Sequence, residues 1–240
     1  MSQSETFVSH LIELRDRLLR AIVGLLVAFV CLFPFANDIY TLLAHPLLAK
    51  LPKGGQMIAT AVTTPFFVPM KVAMLVAVVV SLPYTLYQAW AFIAPGLYQH
   101  EKRFAIPVIV LSTLLFLVGM AFAYFLVFPV VFGFITGTAP EGVAVMTDIG
   151  NYLDFVITLF LAFGLAFEVP VVVVVLVKLG MVSVATLKEI RSYVIVGAFV
   201  IGAIFTPPDV ISQVMLAVPL WLLYEAGILV SALMIRQKTG

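Results

Sequence analysis

Charged side chains are scarce: they make up 10% of the 240 residues, against roughly 25% in a soluble globular domain, while 63% are hydrophobic. That shortage excludes a water-soluble fold. A soluble domain of this length needs polar surface around one core, whereas here apolar runs recur along nearly the whole chain and the mean hydropathy is +1.19. Cysteine is almost missing. Cys31 stands alone within an apolar run, which excludes an internal disulfide and a cysteine-rich metal site and leaves the redox compartment open. Excess charge of one sign is missing too, since a net charge of +1 argues against a nucleic-acid binder.

Catalytic signatures are equally thin. His100-Glu101-Lys102-Arg103-Phe104 begins like the helical zinc motif H-E-x-x-H, but Phe104 stands where the second histidine ligand belongs. Neither a Gly-x-Ser-x-Gly elbow nor a phosphate-cradling glycine loop occurs, which speaks against a serine hydrolase and a nucleotide-driven pump. Recognition is the chemistry that remains.

What is present in abundance is long hydrophobic segments, read in windows of about 20 residues. The first is Ala21 to Ala36, preceded by the charged stretch Glu13 to Arg20. It resembles a signal peptide, but its charges come late, carry both signs and precede no small-residue cleavage site, so a retained span is expected. Further spans run from Pro65 to Ile93, Phe104 to Ile135 and Tyr152 to Val177. The last block, Tyr193 to Ile235, is broken at Thr206-Pro207-Pro208-Asp209 into a hairpin. Its first arm, Tyr193 to Phe205, is about 20 Å long at about 1.5 Å per residue, short of a hydrocarbon core near 30 Å. The expectation is an all-α polytopic membrane protein of six transmembrane helices, the last two short. It forms a single integral membrane domain over 1–240, with an N-terminal amphipathic helix at about 5–20 and spans over about 21–235.

Basic residues set the orientation. Arg15, Arg17, Arg20, Lys102, Arg103, Lys178, Lys188, Arg191, Arg236 and Lys238 fall on one side of the spans, and only Lys50, Lys53 and Lys71 on the other. Both termini are therefore expected in the cytoplasm, with Asn37 to Thr64, Thr136 to Asn151 and the Pro207 turn outside. The first external segment is too hydrophobic for a free loop and reads as interfacial helices.

The candidate polar residues each carry two readings. The N-terminal helix has a stripe of His10, Glu13, Arg17 and Arg20 opposite Leu11, Leu14 and Leu18, and should lie along the inner membrane surface. Glu13 is most simply an i,i+4 partner of Arg17, worth a few tenths of a kcal/mol; a binding role is the alternative. Trp90, Phe92 and Tyr98 suit an interfacial aromatic belt, and Glu101 suits the positive end of the third helix. Glu168 lies mid-span, where insertion of an acid costs roughly 2.5 to 3.5 kcal/mol, so it serves either an interhelical hydrogen bond or a polar cavity. Asp209 reads as an N-cap, and Glu225 as a snorkelling group or the partner of a nearby base.

Three segments bring a family into view: His10-Leu11-Ile12-Glu13-Leu14-Arg15-x-Arg17-Leu18, Phe92-x-x-Pro95-Gly96-Leu97-Tyr98-x-x-Glu101-Lys102, and Phe205-Thr206-Pro207-Pro208-Asp209. In order and spacing they closely resemble the TatC family, the multispanning core of the twin-arginine protein translocase. The resemblance covers essentially the whole chain. It implies that Glu13 and Glu101 hold the paired arginines of a client signal peptide, with Phe92, Pro95, Leu97 and Tyr98 beside them. It further implies that Glu168 and Asp209 serve later transport steps and that Pro46 is a family position in the first external segment. The implied partners are the single-span TatA and TatB proteins, docking near Thr206 and Gln213, together with further copies of the chain in a receptor complex. The implied setting is a bacterial-type inner membrane, with folded clients exported on the proton gradient, no cofactor or metal, and no enzymatic activity. A proton-coupled small-molecule transporter with Glu168 as carrier is the alternative, although the broken helices or paired halves usual in such proteins are not evident.

Overall fold

In a bilayer every backbone N–H and C=O must be satisfied within the protein, so long apolar runs become helices. The computed structural model describes the backbone of residues 3–48, 57–93, 102–137, 147–205 and 210–238, and the side chains of 8–43, 57–92, 106–134, 147–205 and 210–235. Helix α1 spans Gln3–Leu32 and passes through a 3-10 turn, Phe33–Phe35, into α2, Ala36–Leu48. Strand β1 (Met57–Ile58) precedes α3 (Thr64–Ile93). Helix α4, Lys102–Phe122, continues through one π-helical turn, Ala123–Val127, into α5, Phe128–Gly137. Strand β2 (Thr147–Asp148) leads into α6 (Ile149–Lys178), followed by α7 (Val184–Glu189), α8 (Arg191–Phe205) and α9 (Val210–Lys238). Among the described residues, five stretches are long and apolar enough to cross a bilayer: Val8–Leu43, Thr64–Phe92, Ile106–Phe134, Ile149–Lys178 and Val210–Ile235. A shorter apolar helix, Arg191–Phe205, joins them.

Two expectations change. The amphipathic segment at 5–20 is not set off from the first span by a break: it is the first half of α1, which runs unbroken through Arg20 and Ala21. No proline or glycine occurs before Gly24, so nothing halts the helix there. The second change is at the C-terminal end, where α8 is short, as expected, but α9 has 29 residues. Pro219 does not break it, and Arg236 and Lys238 favour the negative end of the helix. In the first external segment, α2 is the one helix among the described residues; 49–56 lie outside them. The parallel pairing of Met57 with Thr147 and Ile58 with Asp148 has no counterpart in the sequence reading.

The chain divides into two compact units. The first comprises Met1–Thr113 with Met146–Leu153. Within it α1 and α2 pack on α3, whose Val68, Val72 and Leu75 are buried at helical spacing. Trp90 donates its indole N–H to the Ser112 hydroxyl at 3.3 Å, tying α3 to α4. Among the described side chains of α1 up to Leu32, none is buried.

The second unit comprises Leu114–Val145 with Asp154–Gly240. Aromatic rings line its first seam: Phe122 meets Phe163 at 5.5 Å and Phe167 at 5.6 Å, Phe128 meets Phe160 at 5.1 Å, and Phe132 meets Phe155 at 5.7 Å. Such pairs contribute roughly 0.5–1.5 kcal/mol each beyond the area they bury. Gly119 lets the backbones approach, because a Cβ there would stand 2.5 Å from the Phe163 carbonyl oxygen. Helix α6 stops at Gly180, whose φ of +71° permits the Met181 N–H to reach the Leu176 carbonyl and the Gly180 N–H to reach Val177. That is a Schellman termination. Ser183 then caps α7 by accepting from the Thr186 N–H at 3.0 Å.

Candidate functional site: the polar ends of the helices

Glu13 and Arg17 lie four residues apart on α1 and meet as expected. Arg17 donates from Nη2 at 2.6 Å and from Nε at 2.8 Å, both to Oε1 of Glu13. Among the described residues Oε2 of Glu13 accepts no hydrogen bond, so half of the carboxylate remains open to a further donor. One turn earlier, the His10 ring stacks on Phe92 of α3 with centroids 4.4 Å apart and planes inclined by 17°. This contact places the polar stripe of α1 beside the end of α3. Between the two helices lies a cavity of about 210 Å³ lined in part by Arg17, Thr85, Gln88 and Phe92. Gln88 is buried, and its Oε1 has no hydrogen-bond partner among the described residues.

Glu101, Pro95, Leu97 and Tyr98 lie outside the described residues, as do Thr206 and Asp209. Pro46 falls on α2, with its side chain outside them. Glu168 is buried at 7% exposure in the middle of α6. Gln213 donates its side-chain amide to the Phe199 carbonyl at 2.9 Å, and its Cγ would meet a Cβ placed on Gly202 at 3.1 Å. It therefore ties α9 to α8 across the hairpin. Glu225 pairs with a nearby base, as one of its readings held: Arg191 Nη2 stands 2.6 Å from its Oε2. The adjacent Tyr224 hydroxyl donates to the Leu187 carbonyl at 2.8 Å, so α9 is fastened to both α7 and α8.

Asp148 was missed. Its Oδ1 accepts from the backbone N–H groups of Gly150 and Asn151, both at 2.9 Å, capping α6. Its Oδ2 accepts from the Thr60 hydroxyl at 2.6 Å and the Thr60 N–H at 2.9 Å. The Thr60 hydroxyl, followed by the Asn151 and Thr60 backbone donors, lowers its pKa to about 2. The capping half was legible, because an Asp just before a helical run is an N-cap signature. The Thr60 half was not, since 88 residues separate the partners.

Apolar helices of membrane-spanning length, one of them carrying a buried acid, define a polytopic membrane protein. The profile of the family described as Sec-independent protein translocase protein (TatC) matches residues 9–219. The chain belongs to the TatC family. It is 56% identical over 230 residues to the Sec-independent protein translocase protein TatC of Azotobacter chroococcum mcd 1, covering 96% of this chain and 90% of that one. It is 54% identical over 231 residues to that of Escherichia coli (strain K12), again covering 96% and 90%. A crystal structure described as the twin arginine translocase receptor TatC superposes with a TM-score of 0.83 at 42% identity, covering 93% of this chain and 98% of that one.

Proposed function

We propose that this chain is the receptor and scaffold of a twin-arginine translocase, in which Glu13 and Glu101 together hold the paired arginines of a client signal peptide. The observation that carries the reading is the divided carboxylate of Glu13, with Oε1 engaged by Arg17 and Oε2 accepting no hydrogen bond among the described residues. Guanidinium is planar and always charged, so a second arginine fits the open oxygen where a lysine ammonium offers only a point charge. Phe92, which stacks on His10, together with Pro95, Leu97 and Tyr98, contacts the client peptide in this reading. Glu168 and Asp209 serve a later step, Pro46 belongs to the first external segment, and Thr206 and Gln213 mark the docking side for TatA- and TatB-type partners. In this reading the chain crosses a bacterial-type inner membrane six times with both termini cytoplasmic, joins further copies in the receptor complex, and exports folded clients on the proton gradient without being an enzyme.

Photo-crosslinking in native membranes tests the core of the proposal. A twin-arginine peptide should crosslink from position 13 and position 101, and a twin-lysine peptide should do so at least tenfold less. Equal yields for the two peptides would overturn it.

A further inference from the structure

A second cavity, of about 500 Å³, lies deeper along α1 and α3 and is lined by Leu19, Arg20, Val23, Gly24, Val27 and Tyr84. Its composition is that of an amphiphile's negative. Arg20 is the last charge before the apolar run Ala21 to Ala36, so it lies at headgroup level. Below it, Val23 and Val27 continue at helical spacing, 57% and 59% exposed. From Arg20 to Val27 the groove descends about 10 Å at about 1.5 Å per residue, enough to take the upper part of an acyl chain.

Its far wall is the ring of Tyr84. A Cβ on Gly24 would stand 2.8 and 2.9 Å from Cδ1 and Cε1 of that ring, so the missing side chain lets the ring lie against α1. Arg17, one turn earlier, is committed to Glu13, and Arg15 to Asp16. Arg20 makes no ion pair or hydrogen bond among the described residues. A lone guanidinium at the head of an apolar groove, at the depth where phosphates lie, has its complement in one ligand class.

We propose that this groove holds one anionic phospholipid, its phosphate on the Arg20 guanidinium and one acyl chain along Val23, Gly24 and Val27 against Tyr84. The site requires that α1 cross the membrane and is independent of how signal peptides are recognised. Bound lipid would complete the outer surface of a helix that, from Val8 to Leu32, buries no side chain.

Native mass spectrometry of the full chain, reconstituted with equal phosphatidylglycerol and phosphatidylcholine and then extracted in mild detergent, reads the site directly. The expected result is one retained phosphatidylglycerol, favoured at least fivefold over phosphatidylcholine. Arg20→Gln should abolish that preference, and Arg15→Gln, at an exposed guanidinium already paired, should leave it. Val27→Trp, which fills the groove and leaves Arg20 in place, should reduce retention at least fivefold with the melting temperature held. A dihexanoyl lipid should be retained far less than a dilauroyl one, which separates a chain-holding groove from a phosphate site that inorganic phosphate alone would fill. Undiminished preference in Arg20→Gln, equal retention of the two headgroups, or competition by inorganic phosphate without dependence on chain length would each overturn the proposal. So would loss of peptide crosslinking in Val27→Trp with lipid retention unchanged, which would give the groove to a client segment.

Discussion

A hydrogen bond to a charged group contributes roughly 1.5–3 kcal/mol, so removing the negative charge of Glu13 has a predictable size. Glu13→Gln should weaken twin-arginine peptide binding about tenfold, since about 1.4 kcal/mol is one decade, and Glu13→Lys should weaken it further by repulsion. Titration calorimetry on the purified chain checks both, and unchanged affinity in Glu13→Gln would show that the open oxygen reads nothing. Asp148 responds to pH in the opposite sense from a basic group. Its carboxyl titrates at about 2 in the folded chain, below the free value of about 3.9. The contribution of its clamp is therefore complete above about pH 4 and fades as pH falls through about 2. A carbon-detected carboxyl titration should place its midpoint near 2, and Thr60→Val should raise it by removing the hydroxyl donor. The two residues also mark the reach of sequence reading. Glu13 and Arg17 are neighbours by helical periodicity alone, whereas Asp148 and Thr60 meet only because two strand residues on each side pair in register.

Helix placement followed from hydropathy because a bilayer penalises every alternative to a helix across such runs. Where helices begin and end depended on weaker signals. The charged start of α1 looked like a change of direction, but with no breaker in the sequence the backbone simply continues. The π-helical turn at Ala123–Val127 left no trace in residue pattern, since Ala-Tyr-Phe-Leu-Val suits an α-helix equally well. The glycines were silent too, because which one touches a neighbour is decided by packing. Gly119 and Gly133 now part company. A Cβ on Gly119 would strike backbone at Phe163, while nothing lies within 4 Å of one on Gly133. Gly119→Ala should cost about 1–3 kcal/mol of overpacking. Gly133→Ala should be neutral or stabilise by up to about 1 kcal/mol through helix propensity. Thermal unfolding in one detergent compares them, and equal behaviour would mean that the close approach at Phe163 relaxes without cost.

For the molecule as a whole, the ten-to-three division of basic residues predicts which parts face which compartment. In a Cys31→Ala background, single cysteines at His100 and Lys188 should react only from the cytoplasm, and those at Gly54, Glu141 and Pro208 only from outside. Labelling of Gly54 or Glu141 from the cytoplasm would reverse the assignment. Recognition and transport should also separate. Glu168→Gln keeps hydrogen bonding and should keep most export, whereas Glu168→Leu removes the cost of inserting an acid and should insert well, bind peptide at Glu13 and yet fail to export. Full export by Glu168→Leu, measured beside membrane abundance and crosslinking, would leave Glu168 a packing residue. The unbroken course of α1 adds a mechanical consequence. A rod seated where the Tyr84 ring fills the gap at Gly24 has a fulcrum there, with an arm of about 16 Å to Glu13 and one of about 12 Å to Leu32. A pull that tilted it by about 10° at the first end would swing Glu13 by about 3 Å and Leu32 by about 2 Å the opposite way, carrying α2 with it through the Phe33–Phe35 turn. A helix broken at Arg20 would have absorbed that movement; this one delivers it to the far side of the membrane.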